Sequence, residues 1–113
     1  MKVRSSMLAL LLATLALAPA GLAATRTTTV KVTAMDFSFK LSTKSVKAGK
    51  VTFSIHNSGK TIHDFEIAGH KSKRIGAGKA TTLTVTLKKG RYPYKCTVDS
   101  HAKLGMKGVL RVT

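Results

Sequence analysis

From residue 28 onward the chain keeps returning to a two-residue hydrophobic period, and that rhythm admits strands while excluding most helical folds. In Thr28-Thr29-Val30-Lys31-Val32-Thr33 the two valines share a face, and over residues 35–41 Phe37, Phe39 and Leu41 stand opposite Asp36, Ser38 and Lys40. Val51-Thr52-Phe53-Ser54-Ile55, Phe65 with Ile67, Leu83-Thr84-Val85-Thr86-Leu87, Tyr92-Pro93-Tyr94-Lys95-Cys96 and Val109-Leu110-Arg111-Val112 continue the scheme. Successive side chains of a strand point to opposite faces, so each row buries one side and wets the other. Threonine, valine and phenylalanine suit such a half-buried pleated surface. Between the rows lie Lys47-Ala48-Gly49-Lys50, Asn57-Ser58-Gly59-Lys60, Gly76-Ala77-Gly78-Lys79 and Lys88-Lys89-Gly90-Arg91, each with a glycine for the positive φ of a tight turn. Seven or so short strands at this spacing predict an all-β fold, an antiparallel sandwich or barrel. No amphipathic helix, internal repeat or linker interrupts them, so a single domain is expected.

The first two dozen residues follow a different pattern. Lys2 and Arg4 supply positive charge, residues 7–18 form an almost unbroken apolar run, Pro19 ends it, and Ala20, Gly21, Ala23 and Ala24 follow. This is the order of a secretory signal peptide. The run is about a dozen residues long, short of the roughly 20 that span a bilayer. Residues 1–24 are therefore expected to be a leader cleaved after Ala23 or Ala24, with Ala20 an alternative. An uncleaved N-terminal anchor is the competing reading. No cysteine stands at the junction to carry a lipid. The mature domain is then 25–113, exported to the periplasm or to the extracellular side of the envelope.

A domain of that size buries a modest core and often needs a disulfide, a metal or a partner. Cys96 is the only cysteine, so no disulfide closes within one chain. In an oxidising compartment a lone cysteine is a buried inert thiol, an intermolecular link or a metal ligand. Its surroundings favour the last. Cys96, His101 and Met106 are spaced C-x4-H-x4-M on one loop between two strands. A thiolate, an imidazole and a thioether form a soft donor set that suits copper, and no open position or substrate-sized site is signalled. His63 follows the Asn57-Ser58-Gly59 turn, and loops at one end of a sandwich cluster, so a second imidazole can reach the same place. His56, at a strand end, and His70, in a turn, are weaker candidates.

Charge is the other outlier. Lysine and arginine number 20 against four acids, and loss of Lys2 and Arg4 with the leader leaves +14. Such an excess points to anionic partners, namely an acidic protein or a membrane or envelope surface, or else to a solvated basic exterior that keeps the chain soluble. Export, few aromatics and the lack of a nucleic-acid motif argue against nucleic acid.

Two segments carry a family resemblance. His56-Asn57-Ser58-Gly59-Lys60-Thr61-Ile62-His63-Asp64-Phe65 is similar to the Asn-x-Gly-x-x-x-His segment of the cupredoxins, the plastocyanin and azurin group of blue copper proteins. The stretch from Tyr94-Lys95-Cys96 through His101 to Gly105-Met106-Lys107-Gly108 resembles their ligand loop. The resemblance implies a Greek-key β-sandwich of about seven to eight strands and one type 1 copper. His63, Cys96 and His101 would be the close ligands and Met106 the weak axial one. It further implies a monomeric one-electron carrier, not an enzyme, serving redox partners acidic at their docking surface; a copper carrier or chaperone of the same fold is the alternative. Docking is expected at His101, with Ala102, Leu104 and Gly105 around it and Lys103 and Lys107 on the same loop. Three departures stand out. Asp99-Ser100 replaces the Pro or Pro-Gly that many relatives place before the second histidine, which leaves the loop less stiff. Asp64 follows the first histidine where plastocyanins often have Asn, and a carboxylate beside copper would lower the potential. Lys95 precedes Cys96 where some relatives have an aromatic residue.

Overall fold

The computed structural model describes residues 27–113, and the expected leader over 1–24 lies outside them. The alternating rows become nine strands: β1 Thr27–Met35, β2 Ser38–Leu41, β3 Ser45–Val46, β4 Gly49–Asn57, β5 Glu66–Ile67, β6 His70–Lys71, β7 Ala80–Leu87, β8 Gly90–Lys95 and β9 Lys107–Val112. They form a four-stranded sheet ordered β2-β1-β4-β7 and a five-stranded sheet ordered β3-β9-β8-β5-β6. A short 3-10 turn, His101–Leu104, is the one helical element among the described residues.

Two features depart from the pattern in the sequence. The alternation over 35–41 is not one strand: a turn at Asp36-Phe37 folds β2 back on β1, pairing Met35 with Ser38 and Val32 with Leu41. The two-residue turn shifts the inward row from even to odd positions, so Phe39 and Leu41 lie opposite Ala34 and Val32 against the core, while Phe37 at the apex packs on the cluster around Cys96 and Met106. The sandwich is also mixed, not purely antiparallel. After β2 the chain crosses to the other sheet as β3 and returns at the end where β1 begins, so β4 runs parallel to β1, and β3 runs parallel to β9.

The inward rows meet as predicted. Val30, Val32, Val51, Phe53, Ile55, Val85 and Leu87 of the first sheet face Val46, Ile67, Tyr94, Leu110 and Val112 of the second. Phe65 fills the centre with no exposed surface, its ring 5.0 Å from Phe53, 5.3 Å from Phe39 and 5.4 Å from Tyr94. Among the described residues the members of this core lie within residues 30–112. β1, β4 and β8 all finish at the same end, and this places the turn after β1, the His63 segment after β4 and the Cys96 loop after β8 side by side. Because Phe65 joins both sheets beside that end, Phe65→Ala is expected to cost about 3–5 kcal/mol, read from urea unfolding of the metal-free protein.

Candidate metal centre

The segment that carries His63 is built around Asn57. This residue is fully buried, and its amide donates to the carbonyls of Thr61 (2.8 Å) and Ile75 (2.7 Å) while its oxygen accepts the Gly59 N–H (2.9 Å). His63 is then fixed by two backbone bonds to Ile75, at 3.1 and 2.7 Å. Cys96 is the first residue beyond β8, and its N–H reaches the Met106 carbonyl at 3.1 Å. Inside that closure the loop turns on His101 N–H to Val98 (3.1 Å), Met106 N–H to His101 (3.2 Å) and Gly105, whose φ of 113° suits glycine.

These backbones converge three donors. The two Nδ1 atoms of His63 and His101 are 3.2 Å apart, and Cys96 Sγ lies 3.9 Å from the first and 3.7 Å from the second. A triangle with those sides has its equidistant point about 2.1 Å from every corner, within the usual 2.0–2.3 Å of first-row metal bonds to imidazole and thiolate. The site therefore has room for one metal ion without rearrangement. His63 and Cys96 are essentially sealed, and His101 keeps a small exposed edge (8%). Met106 is fully buried in the small apolar cluster that holds Cys96, Ala34 and Val98. All four sequence candidates thus gather at one end. His56 and His70 do not: both are exposed, His56 on the outer side of β4 and His70 on the short edge strand β6.

Two further residues shape the site, and the sequence did not single them out. Asp36, in the turn after β1, accepts from the Lys60 N–H at 2.9 Å and from Thr61 through its N–H (3.3 Å) and hydroxyl (2.9 Å). Its Oδ1 also stands 2.7 Å from His63 Nε2. The Lys60 N–H foremost, then His63, holds this carboxyl well below the usual carboxylate range. Donation from Nε2–H fixes the His63 tautomer and leaves Nδ1 a free lone pair facing the other donors, the arrangement that makes an imidazole a stronger ligand. Gly59 permits it, since a Cβ there would collide with the Asp36 carboxylate. Phe37 packs its ring 4.7 Å from that of His101 and 6.2 Å from that of His63. In the sequence Asp36 and Phe37 look like ordinary members of a strand; only the turn between β1 and β2 brings them to the histidines.

Asp64 ties its own segment to the Cys96 loop. Its fully buried carboxylate accepts the Thr97 N–H at 2.6 Å and also the Thr97 hydroxyl, and its charge stands beside the Cys96 thiol. Its own N–H points at Cys96 Sγ from 3.5 Å. Burial pushes the Cys96 thiol up, against the lowering effect of the Asp64 and Val98 N–H groups.

Asp36→Asn removes the charge that polarises His63 while keeping the shape, and is expected to weaken metal affinity about 10–100-fold. Titration against a chromophoric chelator measures this. Gly59→Ala should move affinity in the same direction by displacing the carboxylate. Unchanged affinity in both would reduce Asp36 to a loop brace.

The family model of the cupredoxin-like domain matches residues 6–112. Among solved structures, reduced auracyanin from Roseiflexus castenholzii superposes with a TM-score of 0.65 at 21% identity, covering 76% of this chain and 97% of its own. Rusticyanin from Thiobacillus ferrooxidans gives 0.67 at 22% identity, covering 80% and 79%. Auracyanin A, a "blue" copper protein from Chloroflexus aurantiacus, gives 0.62 at 16% identity, covering 78% and 100%. No curated protein matches the chain. The two facing sheets, the loops at one end and the match over residues 6–112 agree, and the chain belongs to the cupredoxin-like domain family.

Proposed function

We propose that this protein is an exported one-electron carrier with a single type 1 copper held by His63, Cys96 and His101, and more weakly by Met106. The observation that carries the reading is the buried triangle of two Nδ1 atoms and one thiol sulfur, already spaced for one metal ion. Two imidazoles with a thiolate and a thioether suit both copper oxidation states, and copper bound there would supply reversible one-electron chemistry. The chain's own part is to hold the donors still. Backbone bonds fix His63 and the Cys96 loop, Asp36 fixes a tautomer, and Phe37 with the Met106 cluster excludes water. Burial of Cys96 and His63 argues against ready metal exchange, and so for a carrier of electrons and against the alternative, a copper chaperone.

His101 is the proposed electron port, since it alone of the three close ligands keeps an exposed edge. Among the described residues the exposed large hydrophobics are Ile62, Leu104 and Val109. Ile62 adjoins His63 and Leu104 closes the turn that His101 opens, so two of the three flank ligands. Lys103 stands on that turn as an exposed cation, whereas Lys107 opposes Lys95 on the outer side of the second sheet. The partner is read as a redox protein that is acidic around an apolar contact. Residues 1–24 are proposed as the export signal and 25–113 as the mature domain, acting in the periplasm or at the extracellular side of the envelope.

The purified domain should turn intensely blue with one equivalent of copper(II), through thiolate-to-copper charge transfer, and Cys96→Ser should abolish the colour. Persisting colour in Cys96→Ser would overturn the site. Met106→Leu should keep the colour and raise the potential, and Met106→Gln should lower it, because an oxygen donor favours copper(II); cyclic voltammetry reads both.

At the port, Leu104→Asp should slow electron transfer to an acidic partner without changing the visible spectrum. Lys103→Glu should mainly flatten its dependence on ionic strength, since screening acts on the steering charge. Stopped-flow mixing separates the two effects. Unchanged rates in both variants would move the port elsewhere.

A further inference from the structure

The end of the sandwich opposite the metal site carries an unbalanced cluster of cations. Lys47 and Lys50 flank the turn into β4, and the register sets Gly49 beside Leu87 and Lys50 beside Thr86. The next turn, between β7 and β8, therefore lies alongside and brings Lys88, Lys89 and Arg91. Arg91 is directly opposite Arg111, and the Ala48 N–H bonds the Thr113 carbonyl, closing the same pole across both sheets. All six of these side chains are exposed. Like charges facing each other across a strand pair are destabilising, and among the described residues none of the six has a carboxylate within 4 Å.

The four acids lie elsewhere. Asp36, Asp64 and Asp99 belong to the metal-end loops, and Glu66 pairs with Lys95 at the metal-side end of β8. The cations of this pole thus have no acid among them, whereas Lys60, Lys79, Lys95, Lys103 and Lys107 share the metal end with all four acids. The chain also enters the domain at this pole, since Thr27, the first residue of β1, pairs with Lys50. Upstream of it in the sequence lies the apolar run over 7–18, so a membrane-inserted leader, before its removal, is joined to the domain at this pole.

We propose that the cationic pole docks on an anionic phospholipid surface and holds the metal end outward, toward soluble partners. Clustered basic side chains bind anionic headgroups, each near-surface cation adding about fivefold to the partition coefficient. The proposal concerns a face remote from the copper site and does not need that site to be filled.

The test uses the exported form proposed above, residues 25–113, on vesicles of phosphatidylcholine with or without phosphatidylglycerol. A pole variant, Lys88→Glu, Lys89→Glu and Arg91→Glu, is compared with an equal charge change at the β6 edge, Lys71→Glu, Lys73→Glu and Arg74→Glu. Wild type should float with the anionic vesicles and not with the neutral ones. The pole variant should lose at least about a hundredfold in partition coefficient, and the edge variant no more than a few-fold. Equal losses would show attraction by net charge alone and overturn the pole. Absence of vesicle binding, or equal binding to soluble polyphosphate, would overturn the lipid partner. Hydrogen exchange gives an independent reading: vesicles should slow the amides of residues 47–50 and 88–91 and leave those of 57–62 and 99–105 unchanged. Protection of the metal-end loops instead would reverse the orientation and sink the proposal. Neither readout involves copper, so both stand or fall apart from the electron-carrier function.

Discussion

The site depends on a carboxylate that has no exposed surface. Asp64 binds both the N–H and the hydroxyl of Thr97, and these two hydrogen bonds join residues 33 positions apart. On one side of the link is His63 and on the other is Cys96, each a direct neighbour of the bonded residue. Burying a carboxylate is costly unless donors replace its water, so the pairing is nearly obligatory once the sandwich closes. The closed sandwich in turn sets the thiol beside the imidazole. The Asp64 N–H adds a third thread by pointing at Cys96 Sγ from 3.5 Å. Fold and ligand geometry are therefore one constraint: the loops cannot drift apart without exposing a buried charge's partners.

The missing proline before His101 matters less against this background. Asp99 adopts a φ of 43°, a conformation that Asp tolerates better than most residues because its short side chain can bond locally. The chain then enters a 3-10 turn whose bonds run His101 to Val98, Gly105 to Ala102 and Met106 to His101. The loop is tightened by its own backbone, from both ends. Phe37 completes the enclosure by packing its tilted ring against His101 from a different sheet edge.

The parts of the structure that follow local rules were legible in the sequence. Alternation placed the core rows, glycines placed the turns, and the C-x4-H-x4-M spacing on one loop with an imidazole from another placed the metal end. Three things were hidden, each for a physical reason. Strands β3 and β6 are two residues long, too short for any period to register. The turn at Asp36-Phe37 left the alternation intact on both sides, so a hairpin looked like a strand. Asp36 was invisible as a partner of His63 because that contact, like the Asp64–Thr97 link, is made by tertiary closure between residues 27 positions apart. The Asp64–Thr97 pairing was hidden for a related reason: sequence adjacency to a ligand places Asp64 near the metal end but does not name the loop residue that it bonds.

The distribution of acids follows from the same economy of placement. A chain with only four of them uses two, Asp36 and Asp64, to accept six hydrogen-bonding contacts in and around the site. Asp99 occupies a left-handed turn, and Glu66 stands across from Lys95. Both lie toward the metal end, so none stands among the cations of the far pole. The resulting repulsion among exposed cations raises the free energy of the compact state, and it does so most at the pole where turns crowd lysines together. A protein whose remaining acids are committed to the metal end gains stability there, while the far end carries charge that only an external anion relieves. The one-sided placement of the acids is thus the counterpart of how the site is held.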